Sequence, residues 1–422
     1  MNEPVYIIDG NRTPFLKSRN RPGPFAASDL ATDAGRALLL RQRFDATQLD
    51  EVILGCAAPS ADEVNIGRVA ALRMGCGLKV PGWTVMRNCA SGMQSIDSAV
   101  NNIRAGRSNL VLAGGVDALS RAPLLFSDAM VMWLSKWYAA KSVVQRAALL
   151  AQFRPGYLAP VIALMKGLTD PICGLLMGQT AENLAHRFAI TRQEMDAYSA
   201  GSHAKVLAAQ KAGHFADELV ALYDKSGKVY AADDGVREDS TAANLAKLRP
   251  FFDRKYGNVT AGNSSQITDG GAWVVVASAR AVDEHKLTPL GRIVDSQWQV
   301  STRRRWVSVR CTRLHRSCNV MAWVSPISTR GKSTRPLPRR CLRASVRGPA
   351  TITAATNSDC RRHWVPSTRR GSTSTAARLR SAIRWAHPAR ASCCMYSTCC
   401  AVPAASAAWP PSASVAGLAA PC

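Results

Sequence analysis

The chain has 422 residues, 47% of them apolar, which is ample for a large buried core and excludes a wholly disordered protein. No run approaches the roughly eighteen consecutive apolar residues that a membrane span requires. The formal net charge of +25 suggests a nucleic-acid binder until its distribution is read: residues 1–297 hold 33 Lys and Arg against 28 Asp and Glu, whereas residues 298–422 hold 21 against 1.

In chain order, the N-terminus carries Glu3 and Asp9 around a short apolar stretch and lacks the basic head of a signal peptide, which predicts a cytoplasmic chain. Short β-rich runs then alternate with helical patterns. Val5 to Asp9 is a strand, Ser28 to Phe44 a helix, Val52 to Gly55 a strand and Val64 to Met74 a helix. The order continues with a strand from Trp83 to Arg87, a helix from Ala90 to Ala105 and a strand from Asn109 to Ala113. Such alternation predicts βα units and a largely parallel sheet. Trp273 to Ser278 is continuously apolar, as a strand buried on both faces would be.

Between Ser120 and Pro250 the strand signals fade, which predicts a helical, loop-rich insertion. One of its helices opens at Thr191 with Glu194 three residues on, a capping-box pair, and keeps its period to about Ala212. The segment Met130 to Leu168 combines apolar residues with Lys136, Lys141, Arg146, Arg154 and Lys166. A helix packed on its own core with a solvated basic edge is the plainer reading; a surface for a membrane or a partner is the other.

Chemistry concentrates at Cys89. The stretch from Trp83 reads as strand, sharp turn and helix, with Met93, Ile96, Val100 and Ile103 as the buried stripe, so Cys89 falls at a helix N-terminus. There the positive end of the helix dipole favours thiolate over thiol, and backbone N–H groups can stabilise an oxyanion. The small residues Ser91 and Gly92 leave room for an acyl group.

Asn-Cys89-Ala-Ser-Gly-Met-Gln resembles the nucleophile motif of the thiolase family, and Gly114-Gly115-Val-Asp-Ala-Leu-Ser120 is similar to the segment that follows it there. Met177-Gly178-Gln-Thr-Ala-Glu-Asn183 and Asn258-Val-Thr-Ala-Gly-Asn263-Ser-Ser265-Gln-Ile-Thr-Asp269 resemble two further family motifs. The basic insertion, including Phe153-Arg-Pro-Gly-Tyr-Leu-Ala-Pro160, looks most like the β-subunit of fatty-acid oxidation complexes.

The resemblance implies the thiolase fold, an α/β layered αβαβα arrangement built from two similar halves with a helical loop-domain insertion. Residues 1–119 and 251–292 would form the first half, 120–250 the loop domain, and 293–422 the place of the second half. It implies an acyl-CoA acyltransferase: Cys89 takes an acyl group from 3-ketoacyl-CoA, acetyl-CoA departs, and CoA then removes the acyl group. Ser265 would lie beside the CoA pantetheine arm and Met177 would line the acyl or pantetheine tunnel. CoA and acyl-CoA are substrates, and neither a metal nor another cofactor is implied. A homo-oligomer, with a fatty-acid-oxidation α-subunit as a possible partner, is expected by the same route.

Three family motifs of the second half are missing, Asn-Glu-Ala-Phe, Gly-His-Pro and Cys-x-Gly-Gly-Gly. The tail reads as the right gene in the wrong frame. Codons for Lys332-Ser-Thr-Arg-Pro-Leu-Pro-Arg339 can be written AAA TCA ACG AGG CCT TTG CCG CGC, and starting one base earlier they spell Glu-Ile-Asn-Glu-Ala-Phe-Ala-Ala. The same step recovers Gly-Gly-Ala-Ile-Ala-Leu-Gly-His-Pro across Ser374 to Ala389 and Cys-Ile-Gly-Gly-Gly across Pro411 to Cys422. The slip falls at about residue 298, where one G restored after the Trp298 codon turns Gln-Val-Ser-Thr into Ala-Gly-Val-Asp.

A shifted frame accounts for the excess of Arg, Ser, Pro and Cys and the loss of acids without any function. His387-Pro388 then only mimics the family's Gly-His-Pro, since the restored histidine codon straddles Ala382 and Ile383. Nucleic acid is not expected as a partner: Arg303 to Arg305 and Arg369-Arg370 lie in no zinc, helix-turn-helix or stacking pattern. The chain as written is expected to be inactive. An inactive truncated form surviving as a binding or scaffold protein is the first alternative, and a basic nucleic-acid binder the second.

Overall fold

The computed structural model describes residues 3–296 and Trp298, together with the backbone of three short strands at Val324–Pro326, Arg343–Val346 and Ile352–Ala355. His387 and the out-of-frame motifs lie outside the described residues.

An eight-stranded mixed sheet carries the fold. Its strands, in chain order, include β1 (Val5–Arg12), β2 (Glu51–Gly55), β3 (Gly82–Val85), β4 (Leu110–Ala118), β5 (Thr268–Ser278) and β6 (Gly291–Ile293). Three helices connect the early strands: α1 (Ala27–Leu39), α2 (Ile66–Arg73) and α3 (Ser91–Arg104). Across the sheet the order runs β6, β1, β5, β4, β2, β3, with Val324–Pro326 beside β6.

The expectation of a largely parallel sheet is corrected. β2 runs parallel to both β3 and β4, as βα units require, but β5 is antiparallel to β1 and to β4. β5 is the strand by which the chain returns from the insertion, so no βα crossover dictates its direction.

Strand alternation sorts the side chains into two cores. Val52, Leu54, Leu110, Leu112, Trp273 and Val275 face α1 and α2, where Leu30, Ala34, Leu38, Ile66 and Ala70 meet them. Ile53, Val111, Ala113, Val274 and Val276 face the opposite way, onto Met93, Ile96, Val100 and Ile103 of α3. The result is a helix–sheet–helix sandwich, with β5 buried on both faces from Asp269 to Ser278. Each such aliphatic side chain contributes about 1.5–3 kcal/mol by leaving water. Trp273, almost wholly buried, also satisfies its indole by donating to the Ala31 carbonyl at 2.8 Å.

The insertion is helical, as its pattern predicts: α4 (Asp128–Ala139), α5 (Val143–Ala151), α6 (Met177–Phe188) and α7 (Arg192–Lys211). Thr191 caps α7 with the expected box, its hydroxyl accepting from the Glu194 N–H while Glu194 accepts from the Thr191 N–H. The basic segment does not pack on the main cores. Trp133 of α4 stacks on Trp137 and meets Phe153 edge-on, and its indole donates to the Leu149 carbonyl, leaving Val143 and Val144 exposed. Among the described residues no helix is long and apolar enough to cross a membrane.

Candidate active site

β3 ends at Val85, and the chain turns sharply through Arg87, Asn88, Cys89 and Ala90 before α3 begins at Ser91. Asn88 takes φ +48°, a left-handed conformation that asparagine tolerates better than most residues. Ser91, fully buried, holds this turn from inside: its hydroxyl accepts from the Arg87 N–H at 2.8 Å and donates to the Asn88 carbonyl at 2.6 Å. Cys89 is half-buried and precedes Ala90, the N-cap of α3. The sulfur is disulfide-bonded in this structure, whereas the Cys56, Cys76 and Cys173 thiols are free. Nucleophilic chemistry therefore belongs to the reduced form.

Helix α3 is seated tightly. A Cβ on Gly55 would come within 2.3 Å of the Ser91 carbonyl carbon, so only glycine at the end of β2 admits the first turn of the helix. One turn on, the Ser95 hydroxyl donates to the Gly114 carbonyl at 2.7 Å, joining α3 to β4. Gly114 is itself pressed on β5, where a Cβ would meet the Ala272 carbonyl at 2.4 Å.

Beside this turn lies a buried pair that sequence reasoning missed. Asp117 accepts from the Ala57 and Ala58 N–H groups at 3.0 and 2.8 Å and from the Cys56 thiol at 3.5 Å. Desolvation is the largest influence on it and pushes the carboxyl up to about 7, against the lowering effect of those donors. Burial, with the adjoining carboxylate, pushes the Cys56 thiol upward as well, so it stays protonated. Cys56 and Asp117 are 61 residues apart, and no local pattern links them.

The other two sequence-predicted residues sit in a second frame. Met177 is the first residue of α6 and half-buried; Ser265 is exposed on the loop before β5. Glu182 of α6 ties them together by accepting from the Asn258 and Val259 N–H groups at 2.9 and 2.8 Å. The buried Asn263 side chain then donates to Asp196 of α7 and to the Asn258 carbonyl, fixing the loop that bears Ser265. Asp269, at the end of this motif, accepts from the Ser120 N–H and hydroxyl beyond β4. Burial raises its carboxyl. The Cys89 helix thus connects to the Ser265 loop through Ser95, β4 and β5. Among the described residues no cluster of His, Cys, Asp and Glu could hold a metal ion.

Residues 5–280 match the family model described as thiolase, N-terminal domain. The chain is 34% identical over 290 residues to a 3-ketoacyl-CoA thiolase of Aliivibrio fischeri and 34% over 288 to one of Serratia proteamaculans; each match covers 68% of this chain. It spans 65% of the length of those relatives. Among solved structures it is similar to an acetyl-CoA acetyltransferase of Bacillus anthracis, with TM-score 0.62 and 32% identity over 72% of this chain and 73% of that one. It is also similar to human mitochondrial 3-ketoacyl-CoA thiolase in complex with CoA, with TM-score 0.59 and 32% identity over 69% of each chain. The mixed sheet with its helices, and the match over most of the described residues, define an α/β protein of the thiolase fold. The chain belongs to the thiolase family.

Proposed function

We propose that this chain is the nucleophile-bearing part of an acyl-CoA acyltransferase that cleaves 3-ketoacyl-CoA with CoA, or runs the reverse condensation. The observation that carries the proposal is the placement of Cys89 on the turn into α3, between the left-handed Asn88 and the buried Ser91. The Cys89 thiolate adds to the 3-keto carbon. The bond between C2 and C3 breaks, its electron pair leaves with the acetyl-CoA carbon, and that carbon takes up a proton. The acyl group stays on Cys89 as a thioester until a CoA thiol gives up its proton and attacks, restoring the thiolate. The dipole of α3 favours the thiolate at the start and end of the cycle. Met177 and Ser265, joined through Glu182, are assigned to the acyl tunnel and the pantetheine arm.

Both half-reactions move a proton, and the motifs that supply the general acid and base are the ones a shifted frame removes. The chain as written is therefore inactive on this reading, and the gene with its frame restored encodes the enzyme. Thiolysis of acetoacetyl-CoA by CoA tests both statements. The frame-restored protein turns over, Cys89→Ala in it loses about four orders of magnitude, and the chain as written shows no enzymatic rate. Turnover by the chain as written overturns its inactivity; turnover by the Cys89→Ala variant overturns the nucleophile.

A further inference from the structure

We propose that Ser91 is a positioning residue that holds Cys89 in its reactive place by clasping the turn on both sides. The inference rests on the nucleophile reading of Cys89 and adds a residue to it. The Ser91 hydroxyl is saturated by the turn itself: it accepts from the Arg87 N–H at 2.8 Å and donates to the Asn88 carbonyl at 2.6 Å. Those two groups flank the left-handed φ of +48° at Asn88, the conformation least favoured along the turn. The Asn88 carbonyl also accepts from the Ser91 N–H at 3.0 Å, so both the backbone and the side chain of one residue close the loop around Cys89.

The clasp is itself tightly packed. Ser91 is fully buried, its carbonyl carbon lies where a Gly55 side chain would sit, and Ser95 locks the next turn to the Gly114 carbonyl. Alanine at position 91 keeps the helix and its seat but leaves the Arg87 N–H without this acceptor. Asn88 is then free to relax toward negative φ, which moves the neighbouring Cys89 relative to the first turn of α3. Sulfur displaced from the helix end loses part of the dipole that lowers its pKa.

The test is the pH profile of Cys89 alkylation by iodoacetamide in the full, reduced chain, followed by mass spectrometry of the Cys89 peptide, with Cys173 as the internal reference. In the unsubstituted chain Cys89 reacts faster than Cys173 at neutral pH. Ser91→Ala is expected to slow Cys89 about tenfold at pH 7 and move its midpoint up by about one pH unit, with Cys173 unchanged. Ser91→Thr, which keeps the hydroxyl, is expected to react at close to the original rate. An unchanged midpoint in Ser91→Ala, or an equal loss in Ser91→Thr, overturns the proposal. A Cys89 no faster than Cys173 in the unsubstituted chain overturns instead the nucleophile reading beneath it.

Discussion

The indole of Trp298 donates to Oδ2 of Asp97 at 3.0 Å, and so the segment that follows β6 is fastened to the helix that follows Cys89. Asp97 also accepts from the Ser296 hydroxyl, and the Arg87 guanidinium lies 4.0 Å from the centre of the Trp298 ring. Trp298 thus meets both the strand exit before Cys89 and the helix after it. Resequencing the gene across codons 298 and 299 should find one further G; an unaltered sequence there contradicts the frame account. Asp97→Ala should lower stability by about 1 kcal/mol in urea unfolding, since it removes the acceptor of two half-buried donors.

Gly55→Ala should be among the most damaging small substitutions. The added methyl would overlap backbone atoms of Ser91 and Gly92 at 2.3–2.5 Å, which no side-chain rotation relieves. A loss of about 2–3 kcal/mol is expected. Because the strain falls on the first turn of α3, Cys89 alkylation should slow in the same variant. Wild-type stability with unchanged alkylation contradicts the seating.

Asp117 should make stability depend on pH in an unusual direction for a carboxylate. Its folded carboxyl is pushed to about 7 from an ordinary 3.8, so the folded chain keeps a proton that the unfolded chain releases between those values. Stability from this group is full below about pH 4, falls as pH rises to about 7, and is flat above. Asp117→Asn removes the dependence. Urea midpoints from pH 4 to 8 should show the parent losing on the order of 2–4 kcal/mol more than the variant across that window. Parallel profiles contradict the assignment.

Much of this was legible in the sequence, and the exceptions have physical causes. The alternation of Val5 to Asp9, Ser28 to Phe44 and Val52 to Gly55 marks the first βαβ unit, although the helix stops at Leu39, short of Phe44, and β2 is buried at every residue. α7 was readable to within a residue because Thr191 and Glu194 satisfy each other locally. The strand predicted from Asn109 to Ala113 instead runs to Ala118, and the one predicted from Trp273 begins at Thr268. Both extensions pass through glycines of low strand propensity, Gly114 and Gly115 opposite Trp273 and Ala272, and Gly270 and Gly271 opposite Asp117 and Val116. Strand direction carries no local signature, which is why the antiparallel placement of β5 was missed. Cys89 stood out by its turn and small neighbours; the role of Ser91 required seeing which backbone groups its hydroxyl reaches.

Glu182→Gln should loosen the loop that carries Ser265 without unfolding the sheet. The carboxylate makes charge-assisted bonds to two successive N–H groups, at Asn258 and Val259, and an amide presents only one oxygen to them. Hydrogen exchange at those two amides should speed up by about tenfold while β4 and β5 keep their protection. Unchanged protection at Asn258 and Val259 contradicts the tie between the Met177 helix and the Ser265 loop.

The claim on which the account stands is that the sulfur of Cys89 carries the acyl group. Incubating the reduced, frame-restored protein with acetyl-CoA, digesting it at low pH and locating the acetyl group by mass spectrometry measures this directly. The account predicts a thioester on the Cys89 peptide that disappears when free CoA is added. An adduct on another residue, or none at all, contradicts it.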